Sequence, residues 1–165
     1  MKLRYSRNPL PRHIEDSRHF KGIVDAWDIC VRVHGRLFLK VVVFESEKAM
    51  RIFWNKAVSP DSGWTKGTSG VVSELSMDVV KFTKAGEVHM KEVDPRYFAI
   101  MGLIRGRTDD EVLAHESVHA GFAYARRLGK RSRFYEKHGL DDEMVCYPAG
   151  RISAALRLCI PREGK

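Results

Sequence analysis

The 165-residue sequence has few cysteines and no apolar stretch long enough to span a bilayer. The three cysteines, Cys30, Cys146 and Cys159, form no CxxC pair and are odd in number, which argues against the disulfide framework of a secreted protein. The first 20 residues carry positive charge but lack the continuous apolar segment of a signal peptide. We therefore expect a cytoplasmic protein that folds without disulfides and has no membrane partner.

The overall composition is that of a globular domain. Apolar residues make up 44% of the chain and charged residues 30%, so the chain can bury a core of its own. Residues 1–20 are rich in arginine, proline and histidine, and we interpret them as an N-terminal surface arm ahead of a single domain over residues 21–165. The composition specifies no oligomeric state.

Hydrophobic patterning predicts two strands, a helix, three further strands and then two helices. The predicted strands cover 23–33, 36–44, 71–82 with interruptions, 88–93 and 97–104, and the first helix covers 47–57 with Ser46 as its cap. This order indicates an α+β domain with a small antiparallel or mixed sheet.

The second predicted helix carries the motif with the clearest chemistry. Thr108 can cap its start, with Glu111 reaching back to the cap, and Gly129 can end it. His115 and His119 are one turn apart on this helix, so both imidazoles can bind one zinc ion. Glu116 can point at the water on that zinc and act as a general base, since zinc lowers the pKa of its bound water to about 7.

A catalytic zinc usually has three protein ligands, and two downstream residues are candidates for the third. Glu143 lies near the start of the third predicted helix, which Asp141 can cap, and His138 lies in the segment before it. Pro148 falls within that helix and either kinks it or delays its start beyond Glu143. Asp141 and Asp142 are further substitutes for the third ligand, or can orient an imidazole by a hydrogen bond. Tyr135, His138 and Tyr147 are candidates to stabilise an oxyanion.

Residues 108–156 resemble the HExxH zincins, and among them the small gluzincin-like metallopeptidases of phage and prophage genomes. The resemblance consists of HESVHAGFAYARR followed by the acidic pair Asp141-Asp142, and then by Glu143, Tyr147 and the glycine Gly150 on the next helix. It implies a zincin-like fold, hydrolysis of peptide bonds in a protein or peptide substrate, and Glu143 as third zinc ligand with Asp142 as the neighbouring alternative. A phage-encoded protein would work in the host cytoplasm.

The His138-Gly139 pair is also similar to the SprT-like proteases that act on DNA-associated proteins, whose third ligand is a histidine before glycine. That similarity is poorer, because the spacing from His119 is longer and no cysteine-rich zinc ribbon follows. Glu143 is therefore preferred over His138. A third hypothesis for the function is a non-catalytic binding module whose fold the zinc ion stabilises.

A basic stretch over residues 126–137 separates the second and third predicted helices. It mixes arginines and lysines with Phe134 and Tyr135, and the chain as a whole has a net charge of +8. Such a stretch permits weak nucleic-acid binding through phosphate contacts and base stacking, but a solvated loop is favoured because such clusters are common in basic proteins.

Overall fold

The computed structural model describes residues 5–6, 21–33, 35–58, 67–75, 80–83, 86–89, 96–129 and 142–160. The elements within these ranges are β1 (Tyr5–Ser6), β2 (Ile23–Arg32), β3 (Arg36–Phe44), α1 (Glu47–Ala57), β4 (Gly70–Glu74), β5 (Val80–Thr83), β6 (Gly86–His89), β7 (Tyr97–Ile104), α2 (Asp110–Gly129) and α3 (Asp142–Cys159). None of the helices described in these ranges is long and apolar enough to cross a membrane.

Five strands form one mixed sheet in the order β1-β2-β3-β7-β4. β3 and β7 are parallel, and the other neighbouring pairs are antiparallel. β5 and β6 form a separate antiparallel pair. The α+β class and the mixed sheet are thus confirmed, and β3, β7 and α1 have the bounds that the sequence predicts.

Helices cover both faces of the sheet. Alternate residues of β3 and β7, such as Val41 and Met101, belong to the core that α2 and α3 share with the sheet. The intervening residues, such as Val42 and Ile100, pack with α1 on the opposite face. A strand buried on both faces needs apolar residues at every position, which explains the continuous apolar run of β7.

A buried ion pair joins the centre of β2 to β3. Lys40 Nζ lies 2.5 Å from Asp28 Oδ1, both side chains are 2% exposed, and the two residues are cross-strand partners. The Tyr97 hydroxyl donates a hydrogen bond of 2.9 Å to Asp28 Oδ2. The pair therefore has a third polar neighbour, which reduces the cost of burying its charges.

Several predicted boundaries differ from the observed ones. Tyr5–Ser6 is a strand paired with β2, whereas the sequence predicts no strand within the N-terminal arm. The predicted strand over 71–82 is divided into β4 and β5, and β6 begins at Gly86, ahead of the predicted position. The remaining residues of the arm and residues 90–93 lie outside the described ranges.

The predicted cap of α1 is confirmed, and the predicted cap of α2 is wrong. Ser46 caps α1 by accepting a hydrogen bond from the Ala49 amide. The Thr108 cap with Glu111 was wrong for α2, because Asp109 accepts the hydrogen bond from the Val112 amide, at 2.8 Å. A carboxylate in this position also interacts favourably with the helix dipole, so Asp109 does what was expected of the Thr108 hydroxyl.

α2 and α3 pack against each other in antiparallel directions. A Cβ placed on Gly121 would lie 2.7 Å from the Val145 carbonyl oxygen, so the helices are closest where α2 has no side chain. At the other end, Arg157 Nε lies 3.3 Å from Asp110 Oδ1. α3 begins at Asp142 and continues through the buried Pro148, so Glu143 lies on the helix rather than on a loop before it.

Candidate metal centre

The orientation of α2 is set by the face that it buries against the sheet. Leu113, Ala120 and Tyr124 are buried there, and the Tyr124 hydroxyl donates a hydrogen bond of 2.9 Å to the Gly35 carbonyl at the β2–β3 turn. Because helix positions repeat every 3.6 residues, this leaves His115 and His119 on the outward face. Both histidines are exposed.

The two imidazole rings converge. Their Nε2 atoms lie 3.1 Å apart, with ring centroids 4.7 Å apart and an angle of 72° between the ring planes. Two nitrogens bonded to a tetrahedral zinc at about 2.0–2.1 Å lie about 3.3 Å from each other. The observed spacing therefore fits a shared ion as well as it fits a hydrogen bond between the two rings.

The surroundings of His119 favour its neutral form. Partial burial lowers the pKa of His119 below its ordinary value, and the charges of His115 and Arg126 lower it further. A neutral imidazole has the free lone pair that metal binding requires. His119 therefore has a metal-binding protonation state at neutral pH.

Glu116 differs from the two histidines because its side chain is 6% exposed. It points toward β4, where a Cβ on Gly70 would lie 2.6 Å from Glu116 Cγ and 3.0 Å from Oε1. Burial raises the pKa of Glu116, and the neighbouring charge of His115 lowers it in part. A raised pKa makes a carboxylate hold a proton more readily, which suits a group that takes up and returns one.

A groove extends from His119 along the surface between β4 and α2. It has a volume of about 370 Å³ and is lined by Val58, Val72, Ser73, Glu74, His119, Ala123 and Arg126. An ion pair between Glu74 of β4 and Arg126 of α2 lies on its wall, with both side chains about half exposed. The groove therefore combines an apolar surface with two charged groups beside the histidine pair.

The structure does not join Glu143 to the two histidines. Glu143 is exposed in the first turn of α3, and its neighbours Met144 and Val145 pack with Ala125 of α2. Since Ala125 lies about 9 Å beyond His119 along the helix axis, α3 begins beside a later turn of α2. In the described part of the chain no three His, Cys, Asp or Glu side chains form a metal-binding group. The third ligand therefore stays a prediction.

Of the other predicted site residues, some lie within the described residues and some lie outside them. Tyr147 is exposed on α3, and Asp142 is exposed at the start of that helix. Tyr135, His138 and Asp141 lie outside the described residues, as does the basic stretch after Gly129. Its first two cations belong to the last turn of α2, where Arg126 pairs with Glu74 and Arg127 is buried.

Sequence reasoning missed Gly70 and Glu74 as parts of this site. The signal for Gly70 was a glycine next to the apolar pair Val71-Val72, because a glycine in a strand often marks a close approach by another group. No pattern in the sequence pairs Glu74 with Arg126, which are far apart in the chain.

In comparisons with known proteins, no family model, curated protein or solved structure matches the chain.

Proposed function

We propose that the chain is a zinc-dependent peptidase with a zincin-like fold that hydrolyses peptide bonds in the cytoplasm. The observation that carries the proposal is the convergent His115–His119 pair beside the buried carboxylate of Glu116. His115 and His119 bind the ion. Glu116, turned toward β4, is the general base.

Each residue of the motif has a separate task. A bound zinc ion would make water more acidic and polarise the carbonyl that is attacked. Glu116 takes the proton of the attacking water and returns it to the departing amine, which its raised pKa favours. Because Glu116 is 6% exposed, bulk water does not compete for its carboxylate.

β4 is the proposed substrate-binding strand. Among the described strands it pairs with β7 alone, and its Gly70 contacts the Glu116 side chain. An extended peptide can add to the outer edge of such a strand through main-chain hydrogen bonds. This mode favours a protein segment or a peptide as substrate, because it requires a continuous backbone.

Glu143 is proposed as the third ligand, with Asp142 and His138 as alternatives. Metal analysis of the full chain tests this assignment. Replacing His115 or His119 by Ala should reduce bound zinc at least tenfold, since each contributes one of three protein ligands. The zinc contents of Glu143→Ala and His138→Ala are compared next, and the variant that also loses zinc identifies the third ligand. Glu47→Ala is the matched carboxylate control, because Glu47 lies on α1 at the opposite face of the sheet from α2, and it should keep its zinc.

Glu116→Gln separates a catalytic zinc from a structural one. The variant should retain zinc, because Glu116 is a base rather than a ligand, yet its hydrolysis of a proteome-derived peptide mixture should fall about 10²–10⁴-fold. Undiminished hydrolysis would exclude Glu116 as the base. Zinc binding by a wild-type chain that cleaves no peptide would leave a stabilising role for the metal.

A further inference from the structure

β4 runs alongside α2 in the same direction. Gly70 contacts Glu116 at one end, and Glu74 pairs with Arg126 at the other. These two contacts are separated by about 13 Å of strand and about 15 Å of helix, so the elements stay abreast over that distance. The groove beside His119 thus leads from the proposed catalytic residues to the Glu74–Arg126 ion pair.

Arg126 has hydrogen-bonding capacity beyond this ion pair. The pair joins one guanidinium nitrogen to one oxygen of Glu74, and the guanidinium also lies 6.0 Å from the Phe122 ring centroid. A guanidinium has five N–H donors in a planar fork and can bind two carboxylates at once. Because 47% of the side chain is exposed, a second carboxylate can reach it from the groove.

The direction of a bound peptide follows from β4. Antiparallel pairing is slightly more stable than parallel pairing, so a peptide on the outer edge of β4 runs opposite to it. Its N-terminal residues then lie beside Glu74, and the bond to be cleaved lies near Glu116. With about 3.3 Å per residue and the reach of two long side chains, Arg126 faces the residues two to four positions upstream of that bond.

We propose that this groove is a substrate subsite for an acidic side chain, which Arg126 binds two to four residues upstream of the cleaved bond. The inference rests on the proposed peptidase function and adds its substrate preference. The apolar wall formed by Val58, Val72 and Ala123 contacts the aliphatic part of the bound side chain.

The charges favour an acidic over a basic side chain. A carboxylate can join Arg126 while Glu74 stays in place, because the guanidinium has donors to spare. A basic side chain could bind the second oxygen of Glu74 in the same way, so the ion pair alone does not choose between the two. The net charge of +8, and the positive charge that a zinc ion would add beside the groove, favour acidic over basic substrates.

Two variants of the same ion pair provide the test. The zinc-loaded full chain, Arg126→Gln and Glu74→Gln are each given the peptide mixture, and the products are sequenced by mass spectrometry. Peptides that differ only by Glu, Gln or Lys at the preferred position then give kcat/KM ratios. Both variants lose the ion pair, so a purely structural role predicts equal effects, and thermal unfolding shows whether each is folded.

In the wild-type chain we expect kcat/KM for the Glu peptide to exceed that for the Gln peptide about fivefold, the scale of a partly exposed ion pair. The ratio should fall to about one in Arg126→Gln and stay the same or rise in Glu74→Gln. Cleavage without an acidic preference, or equal ratios in both variants, overturns the subsite alone. A wild-type chain that cleaves nothing overturns the peptidase and the subsite together.

Discussion

Gly70→Ala places one methyl group against the side chain of the proposed general base. The new Cβ would lie 2.6 Å from Glu116 Cγ and 3.0 Å from Cδ and Oε1. Such distances are too short for carbon contacts, whose optimum is about 3.5–4.0 Å, so Glu116 must move by about 1 Å. His115 and His119 are on the outward face of α2 and are not displaced by this contact.

The expected effect on activity is larger than the effect on stability. Overpacking costs about 1–3 kcal/mol, whereas Ala in a strand gains about 0.5–1 kcal/mol over Gly, so the net loss is about 1 kcal/mol. A displacement of about 1 Å in a catalytic group can reduce the rate about 10²-fold. Gly70→Ala should therefore keep its zinc and unfold at a slightly lower urea concentration. It should hydrolyse peptides about 10- to 100-fold more slowly.

The control for Gly70→Ala is Gly150→Ala. Gly150 lies in α3, and a Cβ there would meet no atom within 4 Å. Because Ala is the better helix former, this variant should gain about 0.5–1 kcal/mol of stability and keep its activity. The three measurements are zinc content, urea unfolding and kcat/KM. If Gly70→Ala hydrolyses peptides at the wild-type rate, the position assigned to the Glu116 carboxylate is wrong.

Three further predictions concern stability. Burial raises the folded-state pKa of Glu116 above the ordinary value of 4.5, because the charged form is less favourable in the folded protein. The metal-free protein therefore loses stability as the pH rises from 4.5 through the folded-state pKa. Glu116→Gln should therefore raise the free energy of unfolding at pH 7 in chelator, and a gain that persists below pH 4.5 would contradict this cause. Gly121→Ala should cost about 1–3 kcal/mol in urea unfolding, because its Cβ would meet the rigid Val145 carbonyl, and a neutral result would mean that the helices separate freely. Asp28→Ala or Lys40→Met alone should cost about 3–5 kcal/mol, whereas the double variant should cost less than the two together, and strict additivity in this cycle would show that the charges are not coupled.

The parts of the fold that the sequence predicts are the locally encoded ones. β7 and α1 have their predicted bounds because an apolar run and an amphipathic stripe are properties of adjacent residues. The convergence of His115 and His119 is equally local, since the spacing of a helical turn sets it. The Thr108 cap failed because Asp109, one residue later, is also a good cap, and the choice depends on how the chain leaves β7.

The surroundings of Glu116 could not be predicted in this way. They depend on β4 pairing with β7 at the sheet edge, which places Gly70 beside a residue distant in sequence. A tertiary contact of this kind has no signature in either segment alone. The same holds for Glu74 and Arg126, whose pairing follows from the parallel course of β4 and α2.

The third ligand depends on how far α3 is shifted along α2. The Gly121–Val145 contact and the Arg157–Asp110 ion pair fix that shift. Glu143 precedes Val145, so its backbone lies roughly level with Ala123, about 6 Å beyond His119 along the axis of α2. To bind the same ion, the Glu143 side chain must extend back toward His119, or α3 must slide. A slide would break the close contact at Gly121, so zinc binding through Glu143 should be sensitive to Gly121→Ala, whereas zinc binding through a ligand outside α3 should not.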